Sequence, residues 1–268
     1  MDPLLQSLAG LPIVWVGFLA SVVAGAGTVL GALPVFIIRG LSPRVEDSLL
    51  GFAAGVMLAA SFFSLILPAL EAAEASSGLR TSAAGVVVAG ILLGAVVLWL
   101  IHRYVPHEHF ILGVEGPVDL VGLRRVWLFV IAITLHNFPE GMAVGVAFGG
   151  ENLGNGLAVA AGIGLQNIPE GLAVAVSLAA IGYSRSAAFL VAALTGLVEP
   201  VGGLLGVTAV TAAAGLLPWG LAFAGGAMLF IISDEIIPET HRRGFEESAT
   251  FSLMTGFVVM MSLDFTFG

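Results

Sequence analysis

The chain alternates long apolar runs with short polar breaks. Eight runs, at approximately 10–38, 48–71, 83–104, 125–149, 154–182, 187–213, 216–238 and 247–267, reach the ~20 residues an α-helix needs to cross a bilayer. A membrane barrel would instead show ~10-residue segments of alternating polarity. The pattern predicts an all-α integral membrane protein with eight transmembrane helices, folded as one domain over residues 1–268. Connections are short except for 105–124, a polar loop carrying His107, Glu108, His109, Glu115 and Asp119.

Two of the runs break their own apolar pattern in the same way. The fourth contains His136-Asn137-Phe138-Pro139-Glu140-Gly141 and the fifth Gln166-Asn167-Ile168-Pro169-Glu170-Gly171. A charged carboxylate at mid-bilayer costs roughly 2.5–3.5 kcal/mol on insertion scales, so it normally faces a polar interior and marks an ion path. Spacing of four places His136 with Glu140, and Gln166 with Glu170, on one helix face each. Pro139 and Pro169 have no N–H to donate to the carbonyls of Leu135 and Leu165, and in lipid those carbonyls need protein, water or an ion. The two helices, joined by a tight connector from Gly149 to Gly156, are expected to run antiparallel and to meet near the midplane as discontinuous helices do in transporters. Three spans precede the pair and three follow it, an arithmetic that allows an inverted repeat.

The donor set is one imidazole, two carboxylates and the amide oxygens of Asn137, Gln166 and Asn167, joined by Glu199 before Pro200 in the sixth run. Imidazole with carboxylate suits zinc and neighbouring first-row ions better than calcium or magnesium, which favour all-oxygen shells. Met57, among small residues of the second run, would bias the site towards softer metals, although on an apolar helix a methionine is more often packing than a ligand. Asp234, Glu235, Glu239 and His241 end the seventh run, where solvated polarity explains them as well as an exit path does. The ladder Gly141, Gly145, Gly149 gives the fourth helix a smooth face for close approach. It is expected to pack against the fifth helix or one that moves with it.

Composition supports the membrane reading: 58% of residues are hydrophobic and only 10% charged, against about 25% charged in soluble domains. There is no cysteine, which removes thiolate metal sites and disulfides. A net charge of −9 disfavours a nucleic-acid partner. No His-Glu-x-x-His, Gly-x-Ser-x-Gly or phosphate-binding loop occurs, so the obvious enzyme classes and an ATP-driven pump are absent. Met1-Asp2-Pro3 lacks a basic signal-peptide region, which fits a multi-pass protein of a bacterial inner membrane. Arg39, Arg44, Arg103, Arg124, Arg125, Arg185, Arg242 and Arg243 fall on one side of the predicted topology and only Arg80 on the other. The positive-inside rule then makes that side cytoplasmic and puts both termini outside.

The two motifs, with Gly51–Ser61, Pro106-His107-Glu108-His109, Glu199-Pro200 and Ile237-Pro238-Glu239-Thr240-His241-Arg242, resemble the ZIP (ZRT/IRT-like) divalent-metal transporters of the bacterial GufA-like branch. The resemblance runs from the second span to the eighth. It implies eight helices in a 3+2+3 arrangement with inverted repeats, a homodimer, and uptake of zinc, with cadmium, iron or manganese also accepted. It also implies an elevator-like shift of spans one, four, five and six. By position, Met57, His136, Gln166 and Glu170 would line one metal position. Asn137, Glu140, Glu170 and Glu199 would line a second, with Glu170 bridging. His107, His109, Asp234, Glu235, Glu239 and His241 match polar positions near a cytoplasmic exit. No cofactor is implied; the metal is the cargo.

One position departs from close bacterial relatives, which carry Asp where this chain has Asn167. With Glu140, Glu170 and Glu199 ionised, one divalent ion leaves the site at −1 and two leave it at +1, an excess that low dielectric makes costly. The charge balance predicts one tightly held ion and a weak second. Rival functions are a proton- or sodium-coupled carrier of a small organic substrate and a metal-binding sensor that does not transport. The first is disfavoured because no arginine lies inside a span to counter an organic anion.

Overall fold

The computed structural model describes residues 10–38, 40–104, 118–150 and 153–267. Eight long helical segments are present among them: α1 (Ile13–Phe36), α2 (Pro43–Ser77), α3 (Arg80–Tyr104), α4 (Val118–Phe148), α5 (Leu153–Ala180), α6 (Arg185–Ala212), α7 (Leu217–Thr240) and α8 (Glu246–Phe267). Seven of these are long and apolar enough to cross a membrane; the remaining one, α4, has 31 residues and carries the first motif. The chain is therefore a multi-pass helical membrane protein.

Local chemistry sets the helix ends that hydropathy alone misplaces. Ser42 caps α2 by accepting from the Val45 amide, with Pro43 in the first turn, and Gly78 stops the helix at φ +68°. The expected segment 48–71 thus lengthens by polar turns that an apolar run cannot register. Ser184 similarly caps α6 by accepting from the Ala187 amide, after Gly182 has turned the chain at φ +97°.

Prolines act differently from expectation. Pro139 and Pro169 lie inside uninterrupted helices, so α4 and α5 are not discontinuous. Each proline removes one backbone bond, and the flanking turns are held by neighbouring helices. The irregular backbone lies elsewhere. Spans α2 and α7 each widen into a π-helical stretch, Ala60–Ile66 and Ile232–Ile236, just before Leu67-Pro68 and Ile237-Pro238. Pro68 cannot donate to the carbonyl of Ser64, and that carbonyl accepts from Asn155 Nδ2 of α5 at 3.1 Å instead. Span α6 breaks at Gly196-Leu197, between Thr195 and Val198. Pro200 then sits in the first turn of the second half, where a missing N–H costs nothing.

Helices interlock pairwise through glycines pressed on carbonyls. A side-chain carbon at Gly141 or Gly145 of α4 would strike the carbonyl of Glu199 or Gly203 in α6. The glycine ladder therefore faces α6, not α5. In the same way Gly27 and Gly31 of α1 meet the Gly164 and Ile168 carbonyls of α5, Gly55 of α2 meets Leu253 of α8, and Gly94 of α3 meets Phe223 of α7. Without a hydrophobic drive between helices in lipid, such close approach supplies much of the association energy. Among the described residues, these backbone contacts join α1, α4, α5 and α6 to one another, and pair α2 with α8 and α3 with α7, while the Ile66 side chain of α2 covers Gly225 of α7. Contacts between the two groups at glycines involve side chains, as where Met260 and Val56 cover Gly162.

Arg44, Arg185 and Arg243, three of the arginines expected on one side, each bind a neighbouring helix end. Arg44 Nε donates to Ser248 Oγ at 2.8 Å, Arg185 donates to the Phe36 carbonyl, and Arg243 donates to Glu46 and Glu239 at 2.6 and 2.8 Å. Burial works against the Arg243 charge, but the hydrogen bonds and charges of Glu46 and Glu239 outweigh it and push its pKa up. This cluster ties the start of α2 to the end of α7. Trp127 of α4 donates to the Tyr183 hydroxyl after α5 at 2.8 Å.

Gly145→Leu should lower the thermal unfolding temperature sharply, because the Gly203 carbonyl cannot retreat without separating α4 from α6. Gly85→Ala, with nothing within 4 Å of the added carbon, should leave it within a degree or two. Equal melting curves for the two variants would contradict the interlock.

Candidate metal site

The helix pairs bring seven polar side chains into an apolar interior. His136, Asn137 and Glu140 come from α4, Gln166, Asn167 and Glu170 from α5, and Glu199 from α6 just after its break; all are at most 3% exposed. The i, i+4 spacing expected for His136 with Glu140 and Gln166 with Glu170 survives because both helices continue through their prolines.

Amides hold the carboxylates in pairs. Gln166 Nε2 donates to Glu140 Oε1 at 2.6 Å, linking α5 to α4. Asn167 Nδ2 donates to Glu199 Oε1 at 2.8 Å and to the Ala24 carbonyl at 2.9 Å, linking α5 to both α6 and α1. Asn137 Nδ2 donates to the Thr195 carbonyl at 2.9 Å, which serves the backbone end exposed by the break in α6. Each donated hydrogen bond to a carboxylate favours the charged form in a medium that otherwise opposes it.

What is left over is acceptor capacity. Asn137 Oδ1, Glu140 Oε2, Gln166 Oε1, Asn167 Oδ1 and Glu199 Oε2 are buried without a hydrogen-bond partner among the described residues. More than nine in ten buried polar groups in proteins are satisfied, so five such oxygens from three adjacent helices form a coherent feature. All five are lone-pair donors, the chemistry a cation needs.

His136 has a partner that sequence reasoning placed elsewhere. Its Nε2 lies 3.0 Å from Glu235 Oε2, carried by the π-helical turn of α7. The residue expected at an exit thus abuts the central site. Glu239 instead binds Arg242 and Arg243 at 2.9 and 2.8 Å, and His241 Nε2 lies 3.1 Å from Thr250 Oγ1. Asp234 is exposed at the same turn. His107 and His109 lie outside the described residues. Met57 is fully buried on α2, beside Val56, which approaches Gly162 one turn before Gln166.

In this conformation no three His, Asp or Glu side chains among the described residues converge as a ligand cluster. The donors are clasped in pairs: Glu140 with Gln166, Glu199 with Asn167, His136 with Glu235. Sequence reasoning did not find the carbonyls of Ala24 and Thr195 that anchor Asn167 and Asn137. Gly25 and Gly27, which follow Ala24 in α1, were the available signal.

A helical membrane bundle that buries carboxylates, a histidine and amide oxygens at its centre defines an intramembrane cation-handling protein, and the chain belongs to the ZIP family. The family model described as "ZIP Zinc transporter" matches residues 115–264. The chain is 50% identical over 252 residues to zinc transporter GufA of Myxococcus xanthus, covering 94% of this chain and 99% of that protein. It is 46% identical over 267 residues to zinc transporter ZIPB of Bordetella bronchiseptica, covering 99% and 86%. It is 35% identical over 325 residues to zinc transporter ZIP11 of Homo sapiens, covering 90% and 94%.

Asn137→Ala should cost about 1–3 kcal/mol, the usual penalty for stranding a buried polar group, here the Thr195 carbonyl. Chemical unfolding of the metal-free protein measures it, and a loss below a few tenths would mean the carbonyl finds another donor.

Proposed function

We propose that this transporter carries zinc across the bacterial inner membrane into the cytoplasm, through the site shared by α4, α5 and α6. The observation that carries this reading is the set of five unpartnered, buried acceptor oxygens beside an imidazole. The names of the relatives, zinc transporters at up to 50% identity, point the same way. Family membership makes the chain a transporter and not an enzyme.

In the proposed arrangement α4 also crosses the bilayer, giving eight spans with both termini outside. The helix pairing supports a 3+2+3 inverted repeat. Exchanging α1–α3 with α6–α8 and α4 with α5 turns the pair α2–α8 into α7–α3, and α4–α6 into α5–α1, the four pairs with the most extensive contact. The π-helical turns of α2 and α7 exchange likewise.

Transport then requires the paired donors to open onto an ion. Glu140 Oε2, Gln166 Oε1, Glu170 and His136 would hold zinc, with Met57 of α2 as a further ligand. The carboxylates offset its charge and the imidazole favours it over calcium or magnesium. Glu235, already 3.0 Å from His136, would receive the ion towards the arginine-bearing side, with Asp234 beyond it. Because glycine interlocks stay within α1, α4, α5 and α6 and within α2, α3, α7 and α8, we propose that the first group slides against the second in an elevator motion. Cadmium, iron and manganese would be accepted as alternative cargo, and the transporter would work as a homodimer.

Purified protein in liposomes loaded with a zinc-sensitive dye should admit zinc, and Glu170→Ala should abolish the signal. Binding without any dye response would leave a sensor, and uptake of an organic substrate without metal would indicate the carrier alternative. Zinc affinity should fall as pH drops, since protons compete for imidazole and carboxylate; unchanged affinity at pH 5 would rule out this donor set. The absence of cysteine makes topology direct to read. Leu79→Cys should label from outside intact cells and Ser186→Cys only after permeabilisation.

A further inference from the structure

The first turn of α5 sends one side chain across the boundary between the two helix groups. Asn155 Nδ2 donates to the Ser64 carbonyl of α2 at 3.1 Å, and the residue is only 8% exposed. A carbonyl can only accept, so the amide nitrogen is the atom that faces it. Each partner is fixed within its own group. A side-chain carbon at Gly156 would lie 2.7 Å from the Phe148 ring, which packs the start of α5 against the end of α4. Ser64 Oγ donates to Asp264 Oδ1 at 2.6 Å, which holds the π-helical turn of α2 to α8. The Asn155–Ser64 bond therefore spans two separately anchored bodies. A relative slide of about 1 Å would take it past hydrogen-bonding distance.

The bond lies on one side of the metal site, and that side is closed. Along α5, Asn155 precedes Gln166 by roughly 16 Å of helix axis. Between them Val159 and Ile163 are fully buried, and Met260 and Val56 cover Gly162. On the other side of the site Asp234 is exposed, next to the Glu235 that meets His136. Beyond the bond a cavity of about 680 Å³ opens, lined by Ala147 and Asn155 from one group and by Phe63, Leu67 and Asp264 from the other. At about 30 Å³ per molecule it has room for water. Water can take over the Ser64 carbonyl and the Asn155 amide when they part.

We propose that Asn155 is the outer latch of the transporter: its amide holds the Ser64 carbonyl while the metal site is closed to the outside, and releases it to water when the site opens outward. This rests on the topology and the sliding motion proposed above. Pro68 gives the latch its acceptor, because an uninterrupted helix would spend the Ser64 carbonyl on its own backbone. Exchange with water keeps the net strength of such a bond small, as a contact broken in every transport cycle requires.

The test reads opening by cysteine labelling of the full-length protein, which has no native cysteine. Val159→Cys lies one turn inward of Asn155 on the same face of α5 and reports outward opening, through its reaction with a membrane-impermeant thiol reagent outside intact cells. Ser177→Cys, further along that face, reports the cytoplasmic side in inside-out vesicles. Asn155→Leu, similar in size but without a donor, should speed labelling at Val159→Cys about fivefold, the weight of one typical net hydrogen bond. It should leave Ser177→Cys no faster, and Asn155→Ala should act in the same way. Equal or slower labelling of Val159→Cys in the Leu and Ala variants would overturn the latch and leave the sliding motion intact. Faster labelling at both reporters would indicate a loosened fold and overturn it as well. If Val159→Cys never reacts from outside, with or without Asn155, the sliding motion and the latch both fail.

Discussion

A carboxylate in the middle of a membrane must be paid for locally, and the amide–carboxylate clasps at the centre of this bundle are how the chain does so. Gln166 holds Glu140, and Asn167 holds Glu199 together with the Ala24 carbonyl. Each clasp also joins two or three helices, so the groups that make the site polar hold its walls together. An apolar substitute would pack as well but would leave no oxygen facing inward. A fully satisfied network would leave none either. The site lies between these limits, with each clasped side chain keeping one acceptor in reserve.

Such contacts need helices close enough for short side chains to reach across. The glycine–carbonyl interlocks provide this. Gly27 of α1 sits against α5 beside Asn167, and Gly141 of α4 sits against Glu199 itself. Small residues in membrane helices therefore act on the chemistry as well as the packing. They set the distance at which an Asn in α5 meets a carbonyl in α1.

The π-helical turns of α2 and α7 lie where the two helix groups meet. The π-helical turn of α2 presents the freed Ser64 carbonyl to Asn155 of α5, and that of α7 presents Glu235 to His136 of α4. Both contacts cross between groups that otherwise touch through side chains at their glycines. They are polar and exchangeable, unlike the interlocks within each group, and a sliding boundary needs contacts of that kind. Ser64 Oγ also donates to Asp264 Oδ1 at 2.6 Å, extending the polar character of the α2 turn to α8.

Much of this was legible in the chain. Eight apolar runs located the eight long helices, six of them to within three residues at either end, since burial in lipid demands unbroken hydropathy. The repeated Asn-x-Pro-Glu-Gly motif marked the central donors, since lipid tolerates such residues only for a reason. The misreadings share a cause. Proline suggested breaks in α4 and α5, yet a single lost hydrogen bond was outweighed by neighbouring helices, and the break came at Gly196-Leu197. The glycine ladder did not name its partner, and Glu235 looked like a helix-end residue. A linear pattern records what each residue can tolerate, whereas which carbonyl Asn167 meets, and whether an amide or an ion sits beside Glu199, depends on helices more than 140 positions apart in the chain. That distance is closed only by tertiary packing.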